Sequence, residues 1–205
     1  MREPKVSVRR APTPGLALAT GPCRLPNPVP FQAPPSMIVD PAYFRTLARY
    51  NRWANERLYA ACAKLAPDDL TRPRAAFFGS IMGTLNHIVA GDRAWLDRLE
   101  GVAVAVRDYD QVMAEDFESL SRVRAEHDAR LIVLVDDLGP EELAETLYYT
   151  TIAGDRAETP THWVLAHMFN HQTHHRGQAH GLLSQTNVAP PPLDLAIFLR
   201  GLPRS

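Results

Sequence analysis

The sequence predicts an all-α protein, an antiparallel four-helix bundle with a short β-hairpin or extended loop ahead of its last long helix. Three observations predict it. Apolar residues recur at helical spacing over four long stretches, turn and capping residues separate those stretches, and no internal repeat or long strand pattern competes with them. At 205 residues the chain is one domain long, with ample length for a core.

Residues 1–36 stand apart from this pattern. They hold nine of the 18 prolines, five Lys or Arg and one acid, Glu3, with no periodicity. Such a segment buries too little apolar surface to offset the entropy of ordering and is expected to be disordered. It lacks the apolar stretch of a secretory signal. Met37 is the expected initiator, with residues 37–205 as the helical domain. Without residues 1–36, 17 basic side chains face 22 acidic ones, a net charge of −5. That balance argues against a nucleic-acid partner. No apolar run reaches the ~18 residues of a membrane helix, so no membrane partner is expected. The two cysteines, Cys23 and Cys62, suggest neither a disulfide framework nor a cysteine zinc site, in keeping with a cytoplasmic protein.

The first helix starts at Asp40, which can cap, with Pro41 at the first helical position and Pro67 beyond the end. Phe44, Leu47, Ala54, Leu58, Ala61 and Leu65 form its inner stripe, and Asn51 falls on that stripe. The second runs from a Ser80 cap to Glu100, with Gly101 at the stop position. Its stripe is Ile81, Leu85, Ile88, Trp95 and Leu99. Asp92 lies on it and needs an imidazole or an arginine as partner, because a buried carboxylate is costly alone. His87 sits at the stripe's edge with Thr84 and Gly91. A polar loop over 101–111 leads to a third helix of about 113–138, ended by Gly139-Pro140, in which His127 reads as a surface or boundary residue. Residues 145–158 alternate around Gly154-Asp155 and suggest the hairpin or extended loop. A last short helix is expected over 194–200.

The fourth long helix, beginning near Thr161, carries six of the eight histidines. Val164, Met168 and Leu182 define an apolar stripe, with His171 and His175 between them. Residues i and i+4 share a helix face, so this pair can offer a metal two ligands. The intervening sequence is Gln172-Thr173-His174, without the glutamate that H-E-x-x-H peptidases use as base. A third ligand has two candidates, His87 from the second helix and His167 one turn upstream. His174 is expected in the outer shell or against a neighbouring helix, and His162 and His180 on the surface. Gly177 suggests a close helix approach, while Arg176 and Gln178 are candidates to pair with Asp92.

Three segments carry a resemblance: Tyr50-Asn51-Arg52-Trp53-Ala54-Asn55-Glu56-Arg57-Leu58, Leu85-Asn86-His87-Ile88, and Asn170-His171-Gln172-Thr173-His174-His175-Arg176-Gly177-Gln178. Over about residues 38–200 the chain resembles the DinB/YfiT-like superfamily of metal-dependent four-helix-bundle proteins, named after a damage-inducible gene. The resemblance implies a divalent metal ion, commonly zinc or nickel, on His87, His171 and His175, and frequent homodimers. It also implies thiol chemistry, since relatives include a mycothiol-dependent isomerase and S-transferases using mycothiol or bacillithiol. The expected function is a metalloenzyme that activates a low-molecular-weight thiol, or water, toward a small-molecule substrate. A hydrolase on the same site and a non-catalytic, metal-stapled stress-response or binding module are the alternatives. Asp92 is the candidate proton acceptor or imidazole-orienting group, and Asn51 and Asn55 are candidates to line the cavity.

Overall fold

The computed structural model describes residues 40–203, so the extension 1–36 and the choice of Met37 as initiator lie outside the described residues. Seven helices and one small antiparallel sheet occur among them, in the order α1 (Pro41–Cys62), α2 (Pro67–Thr71), α3 (Ile81–Leu99), α4 (Phe117–Asp137), α5 (Pro140–Ala144), β1 (Thr146–Thr150), β2 (Arg156–Pro160), α6 (Thr161–Leu183) and α7 (Leu195–Arg200). The long helices begin where the sequence supplies caps. Asp40 accepts from the Ala42 N–H at 2.8 Å, Ser80 from Gly83 at 2.9 Å, and Asp116 from Ser119 at 2.8 Å. Asp116 thus starts α4 four residues later than the periodicity predicts. Pro67 and Pro140 each open a further short helix as well as following the previous one. The hairpin is present, with Thr146 opposite Pro160 and Thr150 opposite Arg156, and Gly154 at φ +94° in its turn.

The four long helices pack in a ring, α1 against α4 and α6, and α3 against the same two. Two apolar clusters fill it. One holds the C-terminal half of α1 (Leu58, Cys62), the N-terminal half of α3 (Ile81, Leu85), Leu120 of α4 and Leu183 of α6. The other holds the opposite halves, Phe44, Leu96, Leu131 and Leu165. Helices α1 and α6 therefore run one way and α3 and α4 the other. This corrects the expectation of a wholly antiparallel arrangement: α1 with α4 and α3 with α6 are antiparallel, whereas α3 with α4 and α1 with α6 are parallel. The cause is the segment 100–116, which an extended chain spans at about 3.3 Å per residue, more than enough to return along α3 and start α4 beside the start of α3.

A layer of polar side chains separates the two clusters. Arg124 and Gln172 both donate to the Asp92 carboxylate, while Arg124 also pairs with Asp128 at 3.0 Å. Asn51 and Asn55 donate to Asp128 Oδ1 at 3.1 and 3.0 Å, and Arg176 Nη1 donates to their carbonyl oxygens at 2.6 and 3.2 Å. Two carboxylates and two guanidiniums from α3, α4 and α6 are thereby buried with balanced charge, and the two asparagines bring in α1. An unpaired member would cost several kcal/mol, so the layer fixes the depth at which each helix sits. No helix among the described residues is long and apolar enough to cross a membrane.

Candidate metal centre

Helix α6 presents Gln172, Arg176 and Ala179 to the interior, and His171 and His175 flank that face, half-buried, toward α3. This shifts the predicted stripe by one position. The histidines border the core instead of continuing it, and their glutamine and arginine neighbours enter the polar layer. Helix α3 brings His87 to meet them. His87 Nε2 lies 3.2 Å from both His171 Nε2 and His175 Nε2. These are the three residues among those described whose side-chain donors converge tightly enough for one ion, all within 4.8 Å.

The outward nitrogens decide which tautomers face inward. His87 Nδ1 donates to the Tyr109 carbonyl at 2.9 Å, and His175 Nδ1 donates to Gln178 Oε1 at 2.8 Å. The Gln178 amide nitrogen in turn reaches His174 Nε2 at 3.1 Å. With Nδ1 protonated on both rings, two Nε2 lone pairs confront each other at 3.2 Å, an arrangement that asks for a cation between them. Two nitrogens on one zinc at 2.0–2.1 Å in tetrahedral geometry stand about 3.3 Å apart, so the spacing fits a metal. Burial foremost, with the neighbouring histidines adding to it, pushes the His171 ring down to about 3. Burial also holds His175 below its ordinary value. Both effects favour the neutral imidazole that binds metal.

The surroundings hold these rings in place. Phe78 stacks on His87 with centroids 3.9 Å apart and meets His175 edge-on at 5.4 Å. Gly91, one turn beyond His87 on α3, lies under His171: a β-carbon there would stand 2.8 Å from His171 Cε1. The close helix approach is therefore at Gly91. At Gly177, where the sequence suggested it, a β-carbon would meet nothing within 4 Å. A cavity of about 830 Å³ opens beside His87, lined by Phe77, Phe78, Asn86, Asp110 and Glu115 among others.

The remaining candidates are placed as follows. Asp92 accepts from Arg124 and Gln172, and burial, opposed by Arg124, raises its carboxyl to about 6. Its partner is thus an arginine, and Arg176 and Gln178 bond elsewhere, to the α1 asparagines and to histidines. Asn51 and Asn55 are buried in the polar layer and do not line the cavity beside His87. His167 is exposed and packs edge-on to Trp95 at 5.4 Å, outside the cluster. His162 and His180 are half-buried, bonding to the carbonyls of Leu143 and Pro191 at 2.8 and 2.9 Å. His127 is only 2% exposed, which corrects the surface or boundary reading: burial foremost, with Arg124 adding to it, depresses its ring to about 3. Sequence reasoning named Gly91 and Gln178 without these roles and did not single out Tyr109. Gly91 and Gln178 each lie one turn from a candidate ligand, a signal that could have assigned them; Tyr109 accepts only through its backbone carbonyl and leaves no such mark.

The chain is similar to known proteins in sequence and in fold. The sequence pattern of the DinB family matches residues 37–202. Protein DinB of Bacillus subtilis (strain 168) is 25% identical over 159 residues, 75% of this chain and 91% of the relative. The uncharacterized protein YizA of the same strain is 22% identical over 147 residues, covering 69% of this chain and 86% of its own length. Among solved structures, a DinB-like protein from Bacillus cereus ATCC 10987 superposes with a TM-score of 0.55 at 16% identity, over 71% of this chain and 94% of that one, a likeness of fold.

Proposed function

Since the chain belongs to the DinB family, we propose that it is a metalloenzyme built on a four-helix bundle, with His87, His171 and His175 holding one divalent cation and a thiol or water activated beside it. The observation that carries this reading is the meeting of His87 and His175 through unprotonated Nε2 atoms at 3.2 Å, with His171 completing the cluster. Three neutral imidazoles add no negative charge, so a cation held by them keeps its full charge and makes a neighbouring thiol or water more acidic. The protein's own groups do the positioning. Tyr109 and Gln178 fix two ring orientations, Phe78 covers one face of His87, and Gly91 leaves the space His171 occupies. Asp92, in this reading, is a positioning residue: through Gln172 it holds the α6 backbone next to His171. Asn51 and Asn55 do the same for Arg176, next to His175.

The cavity lined by His87 supports an enzyme over a metal-stapled binding module, since it brings a small molecule to one member of the cluster. Zinc or nickel suits an imidazole donor set. A low-molecular-weight thiol is the co-substrate in this reading, with S-transfer as the reaction class and hydrolysis as the competing one. A screen of several such thiols against electrophilic acceptors, with ester hydrolysis run in parallel, tests it. Metal-dependent thiol consumption that disappears in His87→Ala is expected. Metal-dependent hydrolysis without thiol would replace S-transfer with the competing class, and no metal-dependent turnover of either kind would overturn the enzyme reading.

A further inference from the structure

Away from the histidine cluster, the C-terminal end of α3, the loop after it and the hairpin enclose a second cavity of about 660 Å³. Arg98 lines it, and the residue is only 7% exposed. Its Nη2 donates to the Thr150 carbonyl at 3.2 Å, while Nε and Nη1 are buried with no hydrogen-bond partner. Among the described residues no carboxylate pairs with it: the nearby Asp97 is taken by Arg93 and Arg130. The guanidinium instead lies over the Trp95 and Tyr149 rings, 4.7 and 5.3 Å from their centroids. Arginine does not shed its proton to escape burial, and one carbonyl and two ring faces leave two of its nitrogens without an acceptor.

The rest of the lining suits an anion with an apolar body. Arg107 is a second cation on the wall, no Asp or Glu contributes to it, and Val102, Val104 and Ile152 supply an apolar side. We propose that this cavity binds a small organic anion, with its oxyanion head on the free N–H groups of Arg98, assisted by Arg107, and its hydrocarbon part along the valine wall. Cation–π stacking holds the guanidinium plane fixed, and a hydrogen bond from a charged guanidinium to an oxyanion is among the strong ones. The site is separate from the histidine cluster and does not depend on the reading of that cluster.

Isothermal titration of the full chain with benzoate, and separately with inorganic phosphate at matched ionic strength, tests the proposal. Saturable benzoate binding is expected, weakened about tenfold or more in Arg98→Met, less in the exposed Arg107→Gln, and unchanged in His171→Ala. Saturable phosphate binding with the same dependence on Arg98 would support the oxyanion head and reassign its chemistry. No saturable binding of either anion, binding undiminished in Arg98→Met, or binding lost in His171→Ala and kept in Arg98→Met would each overturn it. Should Arg98→Met fail to fold, Arg107→Gln decides alone: undiminished binding there overturns the proposal.

Discussion

The substitution Gly91→Ala asks most of the metal centre for the least chemical change. It adds one methyl group to α3, 2.8 Å from His171 Cε1 and 3.5 Å from both ring nitrogens. Carbon atoms rest about 3.5–4.0 Å apart, so the ring must retreat by roughly 0.7 Å. Overpacking of this size costs about 1–3 kcal/mol, but alanine regains about 1 kcal/mol over glycine in a helix. The metal-free protein should therefore lose only about 0–2 kcal/mol of stability. Metal affinity should suffer more, because sites tolerate about 0.5 Å of ligand displacement. A loss of about 10–100-fold is expected, as for changes to groups that orient ligands. A competition titration against a chromophoric chelator measures the affinity, and thermal melts without metal measure the stability. Gly177→Ala is the control, since its added methyl meets nothing within 4 Å; it should leave affinity unchanged and stability equal or higher. Wild-type affinity in Gly91→Ala would refute the reasoning, as would an equal loss in Gly177→Ala.

Two further predictions concern the interior. His127 is held neutral with its folded value depressed to about 3, below the ~6.5 of an exposed imidazole. The unfolded chain therefore takes up the extra proton, so the His127 contribution to stability is complete above about pH 6.5 and is lost as pH falls toward about 3. Denaturant melts of wild type and His127→Gln across that range should show the wild type falling more steeply with acid, and parallel curves would contradict this. In the polar layer, Asp92→Leu or Arg124→Met alone leaves a buried charge without its partner and should cost about 3–5 kcal/mol. The double substitution should cost clearly less than the sum of the two, as equilibrium unfolding would read, and additive losses would mean the pair is not coupled.

What the sequence made legible is whatever local spacing encodes. Asp40, Ser80 and the proline positions marked helix starts because capping is decided within one turn. The pair His171 and His175 was legible because i, i+4 spacing fixes a shared face, whereas spacing alone left His87 and His167 both open as the third member and the family resemblance pointed to His87. The directions of the helices were not legible. Nothing in residues 100–116 says that this segment runs back along α3 and sets α4 parallel to it. The burial of His127 was hidden for a similar reason: charged neighbours in sequence read as a solvated face, yet Arg124 and Asp128 are themselves buried in pairs with other helices. The close approach was expected at Gly177 and is at Gly91, because a glycine's neighbours across a helix interface are set by packing, not by its own helix.

The central claim is that His87, His171 and His175 form one metal site. Elemental analysis of the purified protein, alongside His87→Ala and His171→Ala prepared identically, tests it most directly. One divalent ion per chain is predicted in the wild type, with little or none in either variant while both keep their helical circular dichroism. Equal metal content in all three proteins would contradict the account.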